Sequence, residues 1–505
     1  MMDDLSIIII GGGIAGLSTG CYGQMNGYHT EIFELHNQPG GLCTSWTRKQ
    51  YTFDGCLHWL VGTDPQNGMN RYYHELGALG DTKIVNHDEF YRVVHPSGKT
   101  LILYTDADRL EKHILELDPL DAPLIKEMCR AIRRLSKLNM VDSKPRELMG
   151  LSDLPQLFNM LPALGTMKKF GSITMADYVK QFKDPVMRDL IQGAFDAPDF
   201  PALVLILTLA FQHGRNAGYP VGGSLRFSKN IEKRYLDLGG KIHYNARVVK
   251  ILVENDKAVG VQLENGEVHR AGRIVSAADG YNTIFNMLEG KYIDDQRRQW
   301  YARHPTFQPI VMVSFGIKQD LSNTPHQVTC LLDRPLDMAG EKQHSLGWKH
   351  YGYDPTLAPQ GKSVVEVMLG SSYEFWKDLS GDSEHYEAEK KNVAIQVMDF
   401  LETRLPGFKE SIEVVDVATP LTFERYTGNW KGIWEGWTMT KDDFVKTLQG
   451  QKTISDVLPG LESFFMVGQW TTPGGGVPPA VTSGRNLIQL FCAWDKKKFT
   501  TSLSE

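Results

Sequence analysis

No stretch of this 505-residue chain concentrates charge of one sign. Lys+Arg 54 against Asp+Glu 60 leaves a formal net charge of −6, and no run of Lys or Arg is dense enough to track a phosphate backbone. Nucleic acid is therefore not an expected partner. Cysteine is scarce and scattered, at Cys21, Cys43, Cys56, Cys129, Cys330 and Cys492, with no C-x-x-C spacing. That argues against a disulfide framework and a structural zinc site, and it suits a reducing compartment. Long hydrophobic runs are missing too: the longest, Leu203 to Phe211 with Thr208 inside it, is about half of the ~18 residues a spanning helix needs. The opening Met1-Met2-Asp3-Asp4 is acidic where a secretory signal needs positive charge. The expected location is cytoplasmic, with peripheral contact to a membrane left open. Ser, His and Asp show no triad-like spacing, and no histidine–carboxylate cluster has metal-ligand spacing.

What is present in excess is glycine, with 48 copies, in an otherwise ordinary composition of 42% hydrophobic and 23% charged residues. Leu5 to Ile10 reads as a buried strand running directly into Gly11-Gly12-Gly13-Ile14-Ala15-Gly16. A helical run to Asn26, a C-cap at Gly27 and a second strand from His29 to Glu34 follow. This is a βαβ opening with the G-x-G-x-x-G pattern in the one context that gives the pattern meaning. The first glycine permits the tight turn, the second lets backbone approach a pyrophosphate, and the third lets helix and strand pack closely. Glu34, eighteen residues past Gly16, closes the second strand where a carboxylate accepts hydrogen bonds from ribose hydroxyls.

Two further blocks share this texture. A β-rich segment begins near Gly222-Gly223 and holds strands around Lys241 to Asn245, Val248 to Glu254, Ala258 to Glu264 and Arg273 to Ser276, with an Asn265-Gly266 turn. The other runs from the strand Phe464 to Val467 through Gly468 and a glycine-rich loop into a helix reaching Leu490. No repeat or low-complexity tract separates these blocks. The expected class is α/β: a Rossmann-like cofactor lobe of discontinuous segments (1–75, 220–285 and 455–505) plus an α+β substrate lobe (76–219 and 286–454).

The fingerprint alone does not choose between NAD and FAD, but its sequel does. Pro39-Gly40-Gly41-Leu42-Cys43 would bring backbone N–H groups back to the same pyrophosphate, and Tyr51-Thr52-Phe53-Asp54-Gly55-Cys56-Leu57-His58-Trp59 resembles the segment facing the isoalloxazine in two-domain flavoproteins. The chain resembles the FAD-dependent phytoene desaturase group, which includes retinol saturases and is related to flavin amine oxidases. The likeness extends through Tyr219-Pro220, Asn245-Ala246-Arg247-Val248, Thr419 to Gly428, and Val467-Gly468-Gln469-Trp470 to Pro478. It implies one FAD, held at Gly11, Gly13, Ile14, Ala15, Gly16, Glu34, Gly41, Leu42, Leu57, His58, Val248, Gly468, Gly475, Gly476 and Val477. It also implies hydride transfer to or from carbon–carbon bonds of a long apolar isoprenoid, carotenoid, retinoid or polyunsaturated lipid. The departures divide: Gly41-Leu42-Cys43 without a following arginine and Gly468-Gln469 look like retinol saturases, Pro473-Gly474-Gly475-Gly476 like desaturases. Double-bond isomerisation without net redox change, amine oxidation and a non-catalytic flavin-binding scaffold are the alternatives.

For proton transfer the candidate is His58, the alternative being a core histidine fixed to a backbone carbonyl. Glu424 and Tyr426 are read onto a strand entering the cavity, as proton acceptor and aromatic wall, or else as solvated strand positions. Trp430, Trp434, Trp437 and Trp470 would suit a polyene channel. Cys43 is read as a small residue beside phosphate rather than a covalent flavin attachment. The stripe Leu154, Leu157, Phe158, Leu161 and Leu164, beside Lys168-Lys169 and interrupted by Pro162, is either a membrane-interface face or a packed helix. Pro201 to Phe211, followed by His213 and Arg215, is expected to line the substrate cavity.

Overall fold

The computed structural model describes residues 5–139, 144–150 and 154–501, with the side chains of 154–161 outside the description. Its centre is a five-stranded sheet in the order Phe464–Met466, Arg273–Ser276, Ser6–Ile10, His29–Phe33, Lys241–His243, parallel throughout. Ser6–Ile10 lies in the middle, and the chain adds strands first on one side and then on the other. Its unbroken isoleucines follow from that place, because a central parallel strand is covered on both faces. Ile7 and Ile9 enter one core with Leu17, Ile231 and Ile488, while Ile8 and Ile10 enter another with Val248, Val261 and Trp437.

The first of these faces carries helix Ile14–Met25 and the C-terminal helix Val477–Trp494. They cross closely because Gly484 has no side chain: a Cβ there would sit 2.7 Å from the Thr19 nitrogen and 2.9 Å from the Ala15 oxygen. The opposite face packs on an antiparallel three-stranded unit, Val248–Glu254, Lys257–Leu263 and Val268–Arg270. Gly266, at φ +89°, makes the expected turn between the last two.

A second sheet has seven strands, ordered Ile412–Ala418, Ile310–Ile317, Ser363–Gly370, Glu341–His350, Gln327–Met338, Glu89–Val94, Thr100–Tyr104. All its pairs are antiparallel except Gln327–Met338 with Glu89–Val94. Val393, Ala394, Val397 and Leu401 of the long helix Ser383–Arg404 close one face. Helices from Ala107 to His213 form a separate apolar core.

Two expectations change here. Thr419 to Gly428 is not a strand. Pro420 occupies the first position of helix Pro420–Thr427, the Thr419 N–H donates to Thr422 Oγ1 at 3.1 Å, and Gly428 ends the helix at φ +70°. Proline suits a first helical turn, where its missing N–H costs nothing. In the helix Leu203–His213, Leu203, Leu205, Ile206 and Leu209 are buried within the helical core. Pro162 lies inside helix Leu154–Gly171 without ending it. Of the proposed stripe only Leu164 has a described side chain, and it is exposed; Leu154, Leu157, Phe158 and Leu161 lie outside the described side chains. No helix among the described residues is long and apolar enough to cross a membrane.

Candidate active site

The glycine turn holds its shape through a few specific contacts. Gly11 takes φ +99°, and a Cβ on Gly16 would collide with the Gly11 carbonyl. Gly40 N–H donates to Gly12 O at 2.9 Å, bringing the second glycine pair alongside the first. Gly12 N–H donates to Glu34 Oε2 at 2.6 Å, and His36 N–H to Glu34 Oε1 at 2.8 Å. Glu34 is buried, and burial pushes its carboxyl upward while the His36 and Gly12 N–H groups pull it back.

Beside this turn lies a cavity of about 330 Å³. Two helix N-termini reach it, at Gly13-Ile14 and at Gly476-Val477. Neither has a side-chain cap or an acidic residue in its first turn. Helix starts leave N–H groups unsatisfied and carry partial positive charge, so two uncapped ends on one cavity suit an anion such as a pyrophosphate. A Cβ on Gly13 would find nothing nearer than Gly40 O at 3.8 Å. Hence the absence of a side chain there serves something other than internal packing.

Behind one wall is a buried polar chain. Trp434 lines the cavity, donates from Nε1 to Gly55 O at 3.1 Å, and stacks on His58 with ring centroids 6.2 Å apart. His58 Nε2 contacts Lys349 Nζ, Lys349 pairs with Glu366 at 3.1 Å, and Glu366 Oε1 accepts from the Asp54 N–H at 2.9 Å. Lys349 and Glu366 are cross-strand partners in the second sheet. Burial and then the Lys349 charge hold His58 well below its ordinary value, so the imidazole is neutral. Burial pushes Glu366 up to about 7 against the pull of Lys349.

Two more carboxylates face the cavity. Asp279 accepts from the Asn282 N–H at 2.7 Å and the Trp430 N–H at 2.9 Å, and burial pushes it up to about 7. Glu435 has no hydrogen bond or ion pair among the described residues, and burial likewise pushes it up to about 7.

A family model described as flavin containing amine oxidoreductase matches residues 14–487. The chain belongs to that family. Over 507 residues it is 26% identical to a chloroplastic prolycopene isomerase of Daucus carota, covering 94% of this chain and 78% of that one. A lycopene-forming phytoene desaturase of Pseudescherichia vulneris is 22% identical, with 96% and 98% covered. The fold is similar to that of cyclohexylamine oxidase from Brevibacterium oxydans, with a TM-score of 0.60, 14% identity, and 97% and 100% covered.

As a member of the flavin-containing amine oxidoreductases, the protein is an FAD-dependent oxidoreductase. The residues present fit that cofactor: two uncapped helix ends, a side-chain-free Gly13 and a carboxylate at the end of the second strand meet at one cavity. Of the residues expected to hold FAD, the structure brings Gly11, Gly13, Ile14, Ala15, Glu34, Gly41, Leu42, Val248, Gly468, Gly476 and Val477 to the cavity wall. Four stand behind it. Gly16 packs on Gly11, and Gly475 on the backbone of Glu435. The Leu57 N–H donates to Asp54 Oδ1 and Ser224 Oγ, and His58 lies beyond Trp434.

Glu424 and Tyr426 are not brought to the wall. Being helical rather than extended, the segment turns them away: Glu424 Oε2 accepts from Tyr373 OH at 2.8 Å, and Tyr426 is 43% exposed against His36. Among the tryptophans, Trp434 and Trp470 line the cavity, whereas Trp437 is buried behind Trp470 and Trp430 stacks on Tyr281. Lys349, Glu366, Asp279 and Glu435 were not among the residues singled out from sequence. Glu366 did leave a signal, as the one charged residue within the apolar strand Ser363–Gly370.

Proposed function

We propose that this enzyme acts on carbon–carbon bonds of a long apolar isoprenoid or carotenoid-like molecule by hydride transfer to or from FAD. The observation that carries this reading is the end-to-end similarity, over 94% and 96% of the chain, to proteins named prolycopene isomerase and phytoene desaturase. In this reading the sheet containing Ser6–Ile10 belongs to the cofactor lobe and the seven-stranded sheet to the substrate lobe.

FAD, when bound, supplies the two-electron chemistry. The chain's own groups do the rest. The helix starts at Gly13 and Gly476 would hold the pyrophosphate, and Glu34 would accept from ribose with the lone pairs its backbone bonds leave free. Trp434 and Trp470 exclude water. His58, kept neutral by burial and by Lys349, stacks on Trp434, so its part is to position that ring rather than to touch substrate.

Isomerisation without net redox change is the second reading, favoured by the prolycopene isomerase similarity. Anaerobic mixing of the purified holoenzyme with a poly-cis carotenoid separates the two. Lasting flavin bleaching with a shift in the number of double bonds supports net oxidation, whereas isomer change with the flavin returned to its starting state supports isomerisation. Amine-dependent bleaching with no response to any polyene would overturn both.

A further inference from the structure

The hairpin Ser45–Arg48 and Tyr51–Asp54 pairs Ser45 with Asp54. One step outward, the Gly55 N–H donates to Thr44 O at 2.9 Å. Cys43 and Cys56 follow just beyond, outside the paired strands. Neither backbone N–H bonds across the hairpin: Cys43 N–H donates to Gly40 O and Cys56 N–H to Asp54 Oδ1. The two side chains meet all the same: a hydrogen bond from the Cys43 thiol is the first of the groups acting on the Cys56 thiol, so the sulfurs are neighbours of the kind a disulfide joins. Both cysteines are free thiols and both line the cofactor cavity, whereas none of the other four does. Cys43 is further fixed by its Sγ–H donation to Ser224 O.

We propose that Cys43 and Cys56 are a second redox centre of this enzyme, a dithiol–disulfide couple that exchanges two electrons with the bound FAD. In the oxidising direction two S–H bonds break and one S–S bond forms. Two electrons and one proton pass to the flavin, and the second proton passes to Glu435. The reverse direction returns two electrons to the disulfide and two protons to the sulfurs. Glu435 lines the same cavity, and its negative charge acts on the Cys56 thiol. The Cys43 thiol, burial and these charges together hold Cys56 well above an ordinary thiol. Cys56 is therefore protonated at rest, and electron release depends on an acceptor for its proton. Glu435, a carboxyl at about 7 with no hydrogen bond or ion pair among the described residues, can serve as one. The proposal rests on the FAD assignment alone and not on the substrate reading.

The test uses the intact holoenzyme. After mild oxidation with diamide and removal of the reagent, peptide mapping without reductant should find Cys43 joined to Cys56. The flavin of this material is then photoreduced by less than one equivalent under anaerobic conditions and left in the dark. Its yellow colour should return while two thiols per recovered flavin become titratable. Cys43→Ala and Cys56→Ala, each with FAD content matched by absorbance, should stay bleached. Absence of the joined peptide from oxidised wild-type protein would overturn the proposal, as would persistent bleaching of wild-type flavin despite that peptide. Because the wild-type measurement stands alone, loss of folding in either variant leaves the proposal falsifiable.

Discussion

Gly12 N–H donates to Glu34 Oε2 at 2.6 Å, so the carboxylate at the end of the second strand also pins the glycine turn that follows the first. With His36 N–H on its other oxygen, Glu34 joins two roles, shaping the loop and facing the cofactor. Glu34→Ala should therefore weaken FAD binding by about 1–3 kcal/mol, the cost of a lost charged hydrogen-bond partner with its donor left buried. Fluorescence titration of the FAD-depleted protein measures this, and unchanged affinity would remove Glu34 from the site.

Gly13 and Gly16 should respond differently to alanine. A Cβ at Gly13 meets only ordinary contacts, while one at Gly16 runs into the Gly11 carbonyl. Gly13→Ala should fold and lose most of its FAD, because the methyl occupies the approach of the pyrophosphate. Gly16→Ala should be destabilised by several kcal/mol through overpacking (typically about 1–3 kcal/mol, more against backbone). Circular dichroism and flavin absorbance on the same samples distinguish the two outcomes.

Lys349 is the counter-charge that keeps Glu366 paired inside the second sheet. Lys349→Met should cost about 3–5 kcal/mol, since it strands a buried carboxylate. Adding Glu366→Gln should recover a large part of that loss. With the lysine charge gone, the His58 imidazole should also move back up toward its ordinary value, because Lys349 is one of the two causes holding it down. Denaturant melts and imidazole NMR titration read these effects.

Asp279 gives the fold a pH dependence of definite sign. Its folded carboxyl is raised to about 7 from 3.8, so the folded state binds the proton more tightly than the unfolded chain. Stability is fully present below the unfolded value and falls as pH rises through about 7, at up to about 1.4 kcal/mol per pH unit. Glu366 and Glu435 titrate in the same direction and range. Asp279→Asn should therefore lessen the slope between pH 4 and 7 without abolishing it, as measured by denaturation across that range.

The sequence by itself determined the cofactor lobe. Ile7 to Ile10, the glycines at 11, 13 and 16, and Glu34 are a local code: one strand, one turn and one helix start within thirty residues, each with a residue type that its backbone requires. The Gly468 to Val477 stretch was legible for the same reason, since loop and helix start are contiguous. Local reading failed at Thr419 to Gly428, where β-like composition lost to a proline-initiated helix. The contact between His58 and Trp434 was not legible in the sequence, since only packing brings the two rings together. What tertiary structure alone decided is the long-range chemistry. Lys349 meets His58 across 291 positions, and Trp430 caps Asp279 across 151. Cys43 and Cys56 meet at the cavity wall because the hairpin between them brings its two flanking segments together. Pairings of this kind leave no periodicity or motif, since the partners lie far apart in sequence and only the packed fold brings them within reach of each other.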